Sequence, residues 1–159
     1  MTIKILRGLT RHKMVFERND MTIEMVDLGP DLPFHDLAHF VVERHLHVSD
    51  GFYGNINKGY TVEQLSNKVV IKSLPVESMA SEIITRTLQT LAVGASTVEQ
   101  FDEMIELEFK NQGIHYPTFW NHNDVEQMLL AYRQLIGQWT DLEVGEYLIL
   151  EFSVNHSNR

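Results

Sequence analysis

Apolar and polar residues alternate through the first third of the chain. Ile3 and Ile5 alternate with Thr2 and Lys4. Met14 and Phe16 flank Val15 between Lys13 and Glu17, and Ile23 and Met25 alternate with Thr22 and Glu24. A period of two is that of a half-buried strand. Asn19-Asp20 tolerates left-handed backbone angles and is expected to turn the second run into the third. Gly29-Pro30 ends the third strand, and Pro33 suits the first turn of a following helix. Near the other end, Gly145 introduces Glu146 to Phe152, a run apolar enough to pair with the N-terminal strands.

The sequence between these runs is helical in period. Ser78 to Val93 carries Met79, Ile83, Ile84, Leu88 and Leu91 at helical spacing. Ser96 to Glu99 reads as a capping box for a helix through Phe101, Ile105 and Phe109 that Gly113 stops. Asn123-Asp124-Val125-Glu126 opens another through Met128, Leu129, Tyr132, Leu135 and Trp139, and a shorter helix starts at Thr61. Val-Glu-Gln recurs at residues 62, 98 and 125 as helix-start chemistry, not as a repeat, because the spacings and flanks differ. The expected fold is α+β. A small antiparallel sheet of N-terminal strands plus the C-terminal strand packs against several helices, in one domain over 1–159.

The helix over 35–46 carries the chemistry. With about 100° per residue and His35 at zero, His39 falls near ~40°, Glu43 near ~80° and Asp36 near ~100°. These four share one stripe. Ala38, Val41, Val42 and Leu46 form an apolar stripe beside it, and Leu37 and Phe40 extend apolar character to the far side, so the helix is expected to be largely buried. Buried carboxylates and imidazoles need partners. A divalent metal is one, bound by His35, His39 and Glu43, with Asp36 as base or as partner to a ligand. The alternative is a polar network that draws in Arg44, Arg86 or Arg133.

Composition narrows the choice. Apolar residues make up 43% and charged residues 22% of the 159 positions, as in a soluble globular protein. No run is long and apolar enough for a membrane span, and the N-terminus lacks a signal-peptide core, so a cytoplasmic location is expected. There is no cysteine, which leaves nitrogen and oxygen as the available metal donors. A formal net charge of -9, with no Lys/Arg cluster, argues against nucleic acid as a partner. Phosphate loops, dinucleotide fingerprints and the Gly-x-Ser-x-Gly elbow are absent.

Other segments rank lower. Asp50 to Ile56 holds two glycines around an aromatic pair and reads as a tight loop that ends the histidine helix. His115 to Asn123 is an aromatic connection that either lines a pocket or packs Phe119 and Trp120 on the core. His45 and His47 lie off the polar stripe, which excludes them as direct ligands. His12 and His156 sit near strand ends and are expected to be exposed. Asp102, Glu103, Glu106 and Glu108 make a solvated acidic face.

His35-Asp36-Leu37-Ala38-His39 resembles the His-Glu-x-x-His helix of zinc metallopeptidases. It departs at the base position, where Asp36 is one methylene shorter, and in the nearness of Glu43. The same residues resemble the His-Asp-x-x-His zinc motif of ubiquinone-biosynthesis scaffold proteins, whose later glutamate corresponds here to Gly51. A longer resemblance is to small bacterial proteins of unassigned activity. It is carried by Leu32 to His39, Val42-Glu43, Asp50-Gly51-Phe52 and Gly145 to Phe152. These resemblances imply zinc. The resulting expectation is a divalent-metal protein, possessing either metal-assisted hydrolysis or hydration of a small molecule, or a closed, non-catalytic site.

Overall fold

In a computed structural model, which describes residues 1–154, strands β1 (Thr2–Leu6), β2 (His12–Glu17), β3 (Ile23–Gly29) and β4 (Tyr147–Glu151) form one antiparallel sheet in the order β3-β2-β1-β4. Register explains why the alternating runs belong together. Ile3 stands opposite Phe16 on one side and Leu150 on the other, and Ile5 stands opposite Met14 and Leu148. All six are buried, so two continuous apolar rows face the helices. The fold is the expected α+β arrangement, with the terminal strand seated beside the first.

The helices are α1 (Phe34–His45), α2 (Phe52–Asn57), α3 (Val62–Leu65), α4 (Lys68–Ser73), α5 (Val76–Ala92), α6 (Phe101–Gln112) and α7 (His122–Asp141). Their starts follow capping chemistry. Thr61 and Asn121 each cap the third residue inside their helix, whose side chain bonds back. A 3₁₀ turn, Val98–Gln100, leads into α6, with Thr97 and Gln100 making the same reciprocal box. Gly113 closes α6 in the left-handed conformation. Helix α1 packs against α5 and α7. Phe40 on α1 and Tyr53 on α2 meet Phe152 beyond β4, with ring centroids 6.4 and 5.8 Å away, which joins the helical layer to the sheet.

Several expectations shift. Residues 52–57 form a helix, not a loop. The loop after β2 places Met21, not Asn19 or Asp20, at φ 68°, while Asp20 accepts hydrogen bonds from the backbone and hydroxyl of Thr22. In β3 the apolar Ile23 and Met25 face solvent, while Glu24 turns inward and pairs with Arg18 at 2.6 Å. His12 is buried, not exposed. Its ring sits edge-on to Trp139 at 5.0 Å, and its Nδ1 accepts from the Gly8 amide. His156 lies outside the described residues. The acidic face of α6 is only partly solvated, because Asp102 accepts from the Trp120 indole at 2.7 Å. Among the described residues no helix is long and apolar enough to cross a membrane.

Candidate metal centre

Helix α1 brings His35 and His39 onto one face, with their rings perpendicular and 4.7 Å apart. Helix α5 lies across that face and adds Glu82. One carboxylate oxygen, Oε2, is 2.9 Å from His39 Nε2 and 3.5 Å from His35 Nε2. One ligand atom from each of the three residues can be chosen so that all lie within 4.8 Å of one another, so the group could hold a metal ion. Two ligands about 2.1 Å from a tetrahedral ion lie about 3.4 Å apart. The His35–Glu82 separation already matches that spacing, and the His39–Glu82 contact must open by about half an ångström.

The other nitrogen of each ring is occupied. His35 Nδ1 is 2.8 Å from Gln89 Oε1, an atom that only accepts, so Nδ1 carries the proton. Gln89 is held in turn: its amide nitrogen donates to the Tyr132 hydroxyl, which donates to the Phe34 carbonyl. Gln89 and Glu82 are two turns apart on α5 and therefore share a face. His39 Nδ1 is 3.1 Å from Glu43 Oε1. Both Nε2 atoms are left facing Glu82, as in metal sites whose histidines are oriented through the far nitrogen.

Glu43 was expected as the third ligand. The structure places it instead behind His39, fully buried, with its second oxygen accepting from the Gly54 amide at 3.0 Å. The reason is local. An i+4 carboxylate on the same helix reaches the near nitrogen of His39, and the loop before α2 closes over it. A Cβ on Gly51 would stand 2.3 Å from the Glu43 carboxyl carbon. Backbone angles at Gly51, φ -75° and ψ -167°, suit any residue, so it is glycine for space and not for conformational freedom. The glycines around Phe52-Tyr53 thus form the cradle of a buried carboxylate.

Asp36, the expected base, is half-buried, and its carboxylate hydrogen-bonds to no other described residue. Burial raises its pKa, opposed by the charges of His39 and His35. Burial would also lower His39, but hydrogen bonds to Glu43 and Glu82 prevail and push the ring up to about 9. His35 is raised chiefly by its pairing with Glu82. Glu82 is held well below the usual carboxylate range by His35 and then His39. Its outer oxygen, Oε1, pairs with Arg86 at 3.3 Å. Of the arginines weighed for a polar network, Arg86 is therefore present at the cluster.

A cleft of about 490 Å³ opens against His39 and Glu82, between α2, α3, α4, the start of α5 and the end of α6. Asp36 does not border it. His45 and His47 lie off the cluster as expected, at the opposite end of α1, where His45 approaches Asp124 at 3.4 Å. His115 and His122 are exposed and contribute nothing to the cluster. Glu82 was not foreseen. Its signal was that it is the only acidic residue between Ser78 and Val93. No family model, curated protein or solved structure matches the chain.

Proposed function

We propose that His35, His39 and Glu82 form a divalent-metal centre serving hydrolysis or hydration of a small molecule in the adjoining cleft. The observation that carries this reading is the orientation of the two rings. Each has its Nδ1 committed to an acceptor, so both Nε2 atoms converge on one carboxylate oxygen. Two nitrogens and a carboxylate suit zinc, and three protein ligands leave a position open. The His-Asp-x-x-His resemblance points the same way. Charge supports the reading as well: Glu43 and Glu82 together offset a divalent cation.

Bound at this place, the ion would supply Lewis acidity and lower the pKa of a water. Glu43 keeps His39 in the tautomer that presents Nε2, and Gln89 does the same for His35. Arg86 restrains the outer oxygen of Glu82. In this reading Asp36, expected as base or as partner to a ligand, takes neither role and is left as an acidic residue in the first turn of α1.

A second reading has its own observation. At 2.9 Å, the His39–Glu82 contact is a hydrogen bond, so a protonated His39 can bridge two carboxylates without any metal. Metal analysis and zinc titration of protein purified without a histidine tag separate the two. The metal reading expects one ion per chain, absent in His39→Ala. Wild-type protein that takes up no ion, or a stoichiometry unchanged by the substitution, supports the bridged network.

A further inference from the structure

We infer that the cleft beside His39 and Glu82 recognises a small carboxylate with an apolar body. As a statement about substrate this rests on the proposed metal centre; as a statement about binding it stands on the cleft alone. The walls are mostly hydrocarbon, from Leu65, Ile71, Leu74, Met79 and Ile114. A volume of about 490 Å³ lies within the range of small-molecule pockets. Apolar walls of this kind take an apolar body, and the few polar groups set its orientation.

The charged groups that border the cleft are few. Glu82 is committed to the two histidines and Arg86. Among the described residues, Lys72, at the end of α4, is the only lysine or arginine on the cleft wall. Among the described residues it pairs with no carboxylate, and neither do Lys13, Lys68 and Lys110, whereas Lys4 and Lys58 are bound to Glu17 and Asp50. What sets Lys72 apart is its place on the cleft wall. A cation that stays unpaired in an acidic protein, beside an apolar cavity, complements a ligand with one negative end. A cationic ligand would meet Lys72 with like charge, and a neutral one would leave it unused.

The test uses n-octanoate, 1-octanol and n-octylamine as probes, with binding followed by calorimetry and by NMR shifts of the cleft residues. It is run first with chelator and then with zinc. Wild-type protein is expected to prefer octanoate in both states. Lys72→Met should reduce octanoate affinity about fivefold, the upper end for a solvent-exposed ion pair, and leave octanol unchanged. Ile71 is partly exposed, so Ile71→Ser should leave the fold intact and weaken octanoate and octanol alike. Equal binding of octanoate and octanol, shifts away from the cleft, or no binding by protein that does take up zinc would overturn the inference and leave the metal centre standing. Octanoate binding by a protein that takes up no zinc would instead keep the recognition and remove the metal reading.

Discussion

The two sides of His39 are built differently. On one side Glu43 comes from the same helix, is fully buried, and is held by the Gly54 amide under the Gly51 backbone. On the other side Glu82 comes from α5, has a side chain 40% exposed, and borders a cleft. The buried side cannot move without disturbing the loop that leads into α2. The open side can exchange its partner, because water and solute reach it. A ring fixed on one nitrogen and accessible on the other is arranged to bind something at the accessible one. The same helix shows the contrast again at its far end. There His45 approaches Asp124 at 3.4 Å, and among the described residues no second carboxylate or amide is set behind the ring.

Removing the ring should have the largest effect. His39→Ala is expected to abolish zinc uptake, and Glu82→Gln to weaken it severely while costing metal-free protein no more than about 1–2 kcal/mol, since Glu82 is on the open side. Calorimetric titration and metal analysis read both. An unaltered zinc stoichiometry in Glu82→Gln would show that the open side is not the binding side.

Next in size is Gly51→Ala. The added methyl would overlap the Glu43 carboxyl, so the loop or the carboxylate must shift. A loss of about 3 kcal/mol in urea unfolding is expected, the upper end for overpacking a tight core. A loss below about 0.5 kcal/mol would mean that the buried side yields easily, and the contrast would collapse.

How much of this was legible in the sequence depends on the distance over which each feature acts. The sheet was readable because Ile3, Ile5, Met14 and Phe16 alternate locally, and α1 because its apolar stripe has a period of 3.6. Glu82 was hidden because its relation to His39 spans 43 positions and depends on how α5 crosses α1. Helical angle placed Glu43 beside the histidines correctly but could not say which ring nitrogen it would meet. Helix α2 is hidden in the sequence because Gly51 and Gly54 look like breakers. Both are instead sites of close approach: a Cβ on Gly54 would lie 2.3 Å from the Ser49 carbonyl oxygen. Strand β3 was found by its alternation, yet its inward residue, Glu24, is polar because Arg18 and the Val62 amide meet it there.

Glu43→Gln sharpens the comparison. Glutamine keeps the shape of the buried side and its one oxygen can accept from His39 Nδ1, but it removes the negative charge and turns an NH2 towards the Gly54 amide that Oε2 accepts from. Zinc affinity is expected to fall by about 10–100-fold, the usual cost of losing a partner behind a ligand. Folding should lose about 1–3 kcal/mol, the cost of a buried amide left without its acceptor. A fall as complete as that of His39→Ala would make Glu43 a direct ligand and return it to the place expected from helical spacing.

Acidity acts in opposite directions on the metal-free and zinc-bound forms. His39 rises from 6.5 to about 9, so its contribution to stability is full below pH 6.5 and is lost as pH climbs through about 9. Glu82 is lowered, so its contribution is present above its ordinary 4.5 and fades on acidification. His35 is raised as well, and Asp36 is raised by burial, so both also lose stability as pH rises. Metal-free protein should therefore be most stable between about pH 4.5 and 6.5 and lose about 1–2 kcal/mol by pH 9.5, a figure discounted for the exposure of Glu82. Zinc needs unprotonated rings, so the bound form should gain relative stability as pH rises. Urea midpoints with chelator and with zinc across this range check both slopes. Parallel curves would show that the ion does not compete with the proton on His39.

Asp36 belongs to neither side of His39, and its substitution should have the smallest effect. Burial already favours its neutral form, opposed by the two histidines, so asparagine changes little that the folded protein depends on. Its remaining value is that of an acidic residue in the first turn of α1, worth about 0.3–1 kcal/mol. Asp36→Asn is therefore expected to shift the melt by an amount of that order and zinc affinity by no more than about fivefold. Thermal melting and zinc titration suffice to check it. An affinity loss matching that of Glu43→Gln would add Asp36 to the groups that hold the histidines, so that the ring is supported from two directions and not one. An unchanged melt and affinity with loss of turnover would restore Asp36 as the base. Because it does not border the cleft, that result would require the first turn of α1 to move when substrate binds.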